Sequence, residues 1–94
     1  MELLQQQYSV YIVKCRDSTL YTGISTDVGQ RVEKHNKGTG AKYTKVRRPV
    51  QLLYCRVIGT KSDALKEEYR IKQLSRKAKL ELCQKSYLPM DVSM

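Results

Sequence analysis

Residues 8–25, YSVYIVKCRDSTLYTGIS, decide the fold because they hold two strand-like segments joined by a polar turn. Apolar side chains occupy both parities of residues 8–15, which is typical of a strand covered on both faces and therefore central in its sheet. The polar run at 16–19 is turn-like, and residues 20–25 form a second strand. So short a connection predicts an antiparallel hairpin.

The next segment predicts a helix with clear end signals. Thr26 or Asp27 is expected to cap its N-terminus, because both side chains accept a hydrogen bond from a backbone N–H of the first turn. The helix is expected to run to about Lys37 and to stop at Gly38, since glycine is the usual residue just after a helix.

The second half of the chain predicts one more strand and two more helices. Residues 50–58, VQLLYCRVI, predict a third strand that ends at Gly59. A second helix follows, capped by Thr60 or Ser62 and ending near Leu74, and then a third over about residues 76–84, capped by Ser75. The order β-β-α-β-α-α predicts a small α/β (α+β) domain, with a three-stranded antiparallel or mixed sheet flanked by helices.

Length and charge limit the function. Ninety-four residues predict a single domain over 1–94, with a core at about 8–84 and flexible tails at 1–7 and 85–94. Eighteen Lys and Arg against nine Asp and Glu give a net charge of +9. A small domain this basic usually binds a polyanion, so we expect a nucleic-acid partner. A solvated basic surface is the alternative.

The cysteines and the N-terminus indicate a cytoplasmic protein. Three cysteines are widely spaced without a CxxC pair, which favours neither a zinc site nor a redox motif. Cys15 and Cys55 lie in apolar strand-like runs and are expected to fill the core. Free thiols suit a reduced compartment. MELLQQQ is too short and polar for a signal peptide, and no apolar run is long enough to cross a membrane.

Three side chains on the predicted helices are candidates for chemistry. Arg31 and His35 lie one helical turn apart, so they offer two donors to one phosphate, although a lone histidine is also often a half-buried surface residue. Glu68 falls among the expected core contacts Ala64, Leu65 and Ile71. A carboxylate there needs a partner. The partner is either a salt bridge, to Arg31 or a lysine, or a hard divalent cation.

The segment 38–49, GTGAKYTKVRRP, predicts a basic loop that contains no acidic residue. Cations in such a loop contact phosphates and an aromatic ring can stack on a base, which makes it a candidate nucleic-acid interface. A loop that is merely solvated is the alternative. The candidate residues are Lys42, Tyr43, Lys45, Arg47 and Arg48.

The ordered set of motifs resembles the GIY-YIG nuclease superfamily. SVY and YTG, which contain Tyr11 and Tyr21, match its two signature tripeptides, with Ser9-Val10 in place of Gly-Ile and Thr22 in place of Ile. Arg31, His35 and Glu68 match its helical residues. The runs LYTGIS, HNKGTGAKYT, RRPVQLLY and EEYRIKQLSRKAKL are similar to the small stand-alone bacterial UPF0213 or YhbQ-like group. The resemblance covers roughly residues 8–83, without the asparagine that many members carry after the glutamate.

The resemblance implies an endonuclease that hydrolyses phosphodiester bonds in nucleic acid, with DNA in a repair or processing role. It implies one Mg²⁺ or Mn²⁺ ion held by Glu68. Tyr11 is the first choice as general base with Tyr21 lining the water, although the sequence leaves open which of the two takes the proton. Arg31 would stabilise negative charge, and His35 would orient water or phosphate.

Gly23 would allow close backbone approach beside Tyr21 and is counted with the nucleic-acid-binding residues. The alternative function is a non-catalytic basic nucleic-acid-binding module that keeps the nuclease fold. A structural partner of a larger repair complex is a third, and none of these readings involves a membrane.

Overall fold

A computed structural model of the protein describes residues 6–85. Its elements are β1 (Tyr8–Lys14), β2 (Leu20–Ser25), α1 (Val28–Lys37), α2 (Lys42–Lys45), β3 (Gln51–Gly59), α3 (Lys61–Lys72) and α4 (Arg76–Lys85). The strands form one antiparallel sheet in the order β2-β1-β3, so the predicted α+β fold class is confirmed. Apart from residues 6, 7 and 85, the predicted tails lie outside the described residues.

β1 is the central strand, as its apolar side chains on both parities predict. Every residue from Ser9 to Val13 is buried, because β1 pairs with β2 on one side and with β3 on the other while helices cover both faces. The antiparallel pairing with β2 confirms the predicted hairpin. A fully enclosed strand is a rigid support for any side chain that it carries.

The two faces of β1 carry two different cores. Val10 and Ile12 point to one face, where they pack with Ile71 of α3 and Cys83 of α4. Tyr11 and Val13 point to the other face, because successive side chains of a strand alternate. There they pack with Cys15 and Val50, and with the half-buried Val28 and Val32 of α1. The candidate site therefore lies on the α1 face of the sheet.

The helix ends are set by the predicted capping residues. The side chain of Asp27 accepts a hydrogen bond from the backbone N–H of Gln30, and Gly38 ends α1 in the left-handed conformation with φ 87°. Thr60 caps α3 and the Ser75 hydroxyl accepts from the N–H of Ala78 in α4. No helix within residues 6–85 has the length and apolar character needed to cross a membrane.

Three local predictions were wrong. The basic segment 38–49 contains the one-turn helix α2, which begins after Ala41 without a side-chain cap and so leaves no capping signal in the sequence. Cys55 is exposed, because it lies on the edge strand β3, of which only Tyr54 is buried. Leu65 was predicted to be a core contact but is 44% exposed, because the buried side of α3 is narrower than the stripe of apolar residues in its sequence.

Candidate active site

The hairpin places Tyr11 over a glycine. Tyr11 of β1 pairs directly with Gly23 of β2, and directly opposed residues share a sheet face. A Cβ atom at position 23 would lie 2.6 Å from Oη of Tyr11, so only glycine leaves room for the phenol in this position. Tyr21 pairs with Val13 two residues along and therefore lies on the same face. The absence of a side chain at Gly23 therefore makes room for the Tyr11 ring, whereas the sequence predicted a close approach beside Tyr21.

Helix α1 brings His35 to this face. Its Nε2 atom lies 2.8 Å from Oη of Tyr11, and both side chains are almost completely buried. The Tyr21 ring meets the imidazole edge-on, with 5.3 Å between ring centroids. The two signature tyrosines and the single histidine of the chain therefore form one aromatic cluster.

The other imidazole nitrogen is bound from α2. Nδ1 of His35 lies 2.7 Å from Oγ1 of Thr44, whose hydroxyl in turn donates to the carbonyl oxygen of Ala41. Gly40 closes over the ring, since a Cβ there would lie 2.6 Å from Nδ1. Sequence reasoning missed both Thr44 and Gly40. Their contacts with His35 depend on the position of α2, and no capping side chain in the sequence marks the start of that helix.

This arrangement changes the expected role of His35. A histidine that orients phosphate or water directly would need an open nitrogen, whereas both nitrogens of His35 are engaged inside the protein. Its burial is complete, so the alternative of a half-buried surface histidine is also wrong. Within the candidate site, Nε2 of His35 contacts Oη of Tyr11.

Burial and nearby charges control the protonation of Tyr11. Burial, with smaller contributions from Tyr21 and Glu68, raises the pKa of Tyr11 to about 12, while the positive charge of Arg31 opposes the rise. Burial and the charge of Arg31 both lower the pKa of His35. The resting site therefore contains a neutral phenol beside a neutral imidazole.

Glu68 approaches from α3, which packs against both β1 and β2. Its side chain is 18% exposed and one carboxylate oxygen lies 3.3 Å from Nζ of Lys72. The structure thus contains the lysine salt bridge that was one of the two sequence interpretations. The negative charge of Glu68 still affects Tyr11, because it contributes to the raised pKa of that phenol.

A series of side-chain contacts connects Tyr21 to Asp17 in the turn between β1 and β2. The rings of Tyr21 and Tyr43 stack with centroids 5.9 Å apart, and the guanidinium of Arg47 lies 3.9 Å from the centroid of Tyr43. Arg47 also donates to a carboxylate oxygen of Asp17 at 3.1 Å. The hydrogen bonds from Thr19 are the main reason why the pKa of Asp17 is lowered, so this anchor is charged. Tyr43 thus packs against Tyr21 and Arg47, and its side chain remains 38% exposed.

The remaining basic residues of the 38–49 segment divide into two kinds. Lys42 and Lys45 are exposed on α2. Arg48 instead donates from Nε to the carbonyl oxygen of Lys45, and Arg47 donates to that of Tyr43. The lysines are available to a phosphate backbone, whereas the two arginines help to shape the segment.

Comparisons with known proteins identify the family of this chain. The family model of the GIY-YIG catalytic domain matches residues 7–81. A UPF0213 protein of Staphylococcus saprophyticus is 58% identical over 76 residues, which is 81% of this chain and 93% of that protein. A UPF0213 protein of Staphylococcus aureus is 64% identical over 73 residues, covering 78% and 89% of the two chains.

Two solved structures have a similar fold. The solution NMR structure of the UPF0213 protein BH0048 from Bacillus halodurans has a TM-score of 0.58 and 40% identity, covering 90% of each chain. That of protein EF2693 from E. faecalis has a TM-score of 0.56 and 34% identity, covering 83% of this chain and 84% of the other. A nuclease family implies nucleic acid as the binding partner. On the family match and these relatives together, the chain belongs to the GIY-YIG nuclease family and, within it, is a UPF0213-type protein.

Proposed function

We propose that the protein is a metal-dependent endonuclease that hydrolyses phosphodiester bonds in nucleic acid, with DNA as the substrate in repair or processing. The observation that carries the proposal is the buried hydrogen bond between Tyr11 and His35, with Arg31 and Glu68 close enough to change the pKa of Tyr11. Titratable groups with perturbed pKa values are concentrated at catalytic sites, and binding of nucleic acid alone does not require such a pair.

Glu68 is the residue that would hold a Mg²⁺ or Mn²⁺ ion. Residues 6–85 contain no cluster of three or more His, Cys, Asp or Glu side chains that could bind a metal by themselves. Mg²⁺ commonly uses one or two carboxylates and takes its other ligands from water and substrate phosphate, so a single glutamate suits it. Lys72 engages one oxygen of Glu68, and a carboxylate has about four acceptor sites.

When bound, the ion supplies charge relief at the scissile phosphate and at the leaving oxygen. Glu68 of α3 is near enough to Tyr11 to affect the pKa of that phenol, so the scissile phosphate would lie close to both the general base and the metal ligand. Tyr11 is the only one of the signature tyrosines with a hydrogen bond to His35. We therefore assign the general base to Tyr11 and a water-lining role to Tyr21.

A free Tyr11 phenolate would be too scarce to serve as the base. Because burial raises the pKa of Tyr11 to about 12, very few molecules carry the phenolate at neutral pH. The proton movements are therefore concerted. As Oη of Tyr11 takes a proton from the attacking water, its own O–H bond breaks and that proton moves to Nε2 of His35. The products are hydroxide for the attack, a neutral phenol and an imidazolium.

Arg31 and the exposed lysines would bind the substrate. The half-buried guanidinium of Arg31 is a fork of donors beside Tyr11, suited to the negative charge that develops on the phosphoryl oxygens. Lys42 and Lys45 on α2 would contact the backbone away from the scissile bond. Their contribution to affinity should fall as salt rises, because it depends on counterion release.

A panel of labelled nucleic acids tests the proposal. Single strands, duplexes, flaps, overhangs and junctions of DNA and RNA are incubated with the purified protein and Mg²⁺ or Mn²⁺, and products are separated on denaturing gels. The expected result is cleavage of at least one structure that stops with a chelator and in Tyr11→Phe. Salt-sensitive binding to the whole panel without product would instead favour the non-catalytic binding module.

A further inference from the structure

His35 lies in a chain of three hydrogen bonds, and the two that it makes itself are buried. Oη of Tyr11 lies 2.8 Å from Nε2, and Nδ1 lies 2.7 Å from Oγ1 of Thr44. The Thr44 hydroxyl lies 3.1 Å from the carbonyl oxygen of Ala41. Tyr11, His35 and Thr44 are each no more than 1% exposed.

The carbonyl acceptor at the end of the chain indicates the direction of its hydrogen bonds. A carbonyl oxygen only accepts, so the single hydroxyl proton of Thr44 points to Ala41. Oγ1 of Thr44 must then accept from Nδ1 of His35. A neutral imidazole carries one N–H, so Nε2 is left as an acceptor and the Tyr11 hydroxyl donates to it.

We infer that Thr44 is a positioning residue that holds His35 in the Nδ1–H tautomer and so leaves Nε2 ready to take the proton of Tyr11. The catalytic part of this inference rests on the proposed nuclease function. The tautomer itself is a property of the folded protein and is measurable without substrate.

The surroundings of the ring make Thr44 hard to replace. Gly40 packs so closely that a Cβ would lie 2.6 Å from Nδ1, which leaves little space for water on that side. An N–H buried there without an acceptor would destabilise the folded protein. Without the Thr44 hydroxyl, the ring is expected to move its proton to Nε2, where the Tyr11 oxygen can accept it. Tyr11 then has no acceptor for its own proton.

Imidazole NMR tests the tautomer directly. His35 is the single histidine of the sequence, so a protein with ¹⁵N-labelled histidine gives one imidazole pattern. A protonated and a bare ring nitrogen differ clearly in ¹⁵N shift and in their couplings to the ring protons. The wild-type protein and Thr44→Ser are expected to carry the proton on Nδ1. Thr44→Val, which keeps the shape and removes the hydroxyl, is expected to carry it on Nε2.

The same variants are assayed on the best substrate of the cleavage panel. Thr44→Val is expected to lose roughly 10- to 100-fold in kcat, as usual when a second partner of a functional histidine is removed. Thr44→Ser is expected to stay close to wild type. Binding without metal should be unchanged in both, because Thr44 is buried.

A proton on Nε2 in the wild-type protein would overturn the inference, even if Thr44→Val failed to fold. So would a Thr44→Val variant that kept the proton on Nδ1 or the wild-type kcat. If the wild-type protein cleaves nothing, the nuclease proposal fails, and the spectra alone then support or overturn the tautomer assignment.

Discussion

Oη of Tyr11 lies 2.8 Å from Nε2 of His35, and this hydrogen bond joins the central strand to the first helix inside the core. Both side chains are confined, because Tyr11 lies within the enclosed strand β1 and His35 packs closely under Gly40. A proton donor and acceptor are thus aligned before any substrate arrives, and such preorganisation is what a catalytic base requires.

Gly23→Ala is expected to displace the Tyr11 phenol. The new Cβ would lie 2.6 Å from Oη and 2.8 Å from the ring carbon that carries it, so the ring has to shift. Crowding of this kind in a packed core costs about 1–3 kcal/mol of the free energy of unfolding. Urea denaturation measures the cost, and cleavage should fall with it.

Gly29→Ala is the matched control for that variant. Gly29 lies in the first turn of α1, and a Cβ there would meet only Asp27 Oδ1 at 3.8 Å. The variant should be more stable than wild type by up to about 1 kcal/mol, since alanine favours a helix over glycine. Equal stability effects from the two substitutions would contradict the assigned role of Gly23.

Tyr11 should also make stability fall in alkali. Burial raises its pKa from 10.0 to about 12, so the folded protein holds this proton more tightly than the unfolded chain does. The resulting stabilisation is fully present below about pH 10 and is lost as pH rises through about 12. Between these limits, wild type should lose on the order of 2 kcal/mol more than Tyr11→Phe.

Urea denaturation at a series of alkaline pH values measures this difference. Tyr69→Phe serves as the control, because Tyr69 is 67% exposed. Removing its hydroxyl should leave the dependence of stability on pH the same as in wild type. Parallel curves for wild type and Tyr11→Phe would show that the folded protein does not bury the Tyr11 hydroxyl as described.

Arg31→Ala should slow cleavage far more than it weakens binding. The lost guanidinium would have acted on charge that develops in the transition state, so kcat should fall by about 100-fold or more. Lys34→Ala removes the same charge from an exposed position on the same helix and should change kcat little. Fluorescence anisotropy without metal measures binding for both. Equal effects of the two variants on kcat would show that Arg31 contributes no more to catalysis than an exposed lysine does.

Most of the fold could be predicted from the sequence because its signals are local. The two-sided apolar pattern of β1 identified the central strand, and Asp27, Gly38, Thr60 and Ser75 marked helix ends that the structure contains. Cys55 and Leu65 could not be placed, because their exposure depends on which parts of β3 and α3 other elements cover.

The site was only partly predictable. Residue types and order pointed to Tyr11, Arg31 and Glu68 through the family resemblance, and the geometry brings these groups close enough to affect one pKa. The bonds of His35 to Tyr11 and Thr44 arise from packing between distant segments. Thr44 reaches His35 through a short helix that lacks a capping side chain, so no local pattern reveals it.

If this chain is a nuclease whose metal is held by Glu68, one pair of variants on α3 should behave very differently. Glu68→Gln and Glu67→Gln make the same change at adjacent positions of α3. Glu67 instead pairs with Arg70 and Arg56. Such a surface pair is worth about 1 kcal/mol or less, so Glu67→Gln should remain folded and active.

The measurement is the initial rate of cleavage of the best substrate as a function of Mg²⁺ concentration. Loss of the metal ligand removes several kcal/mol of transition-state stabilisation, so Glu68→Gln should be at least about 100-fold slower at every concentration. Glu67→Gln should follow the wild-type curve. A Glu68→Gln protein that cleaves at the wild-type rate would show that Glu68 does not hold the catalytic metal.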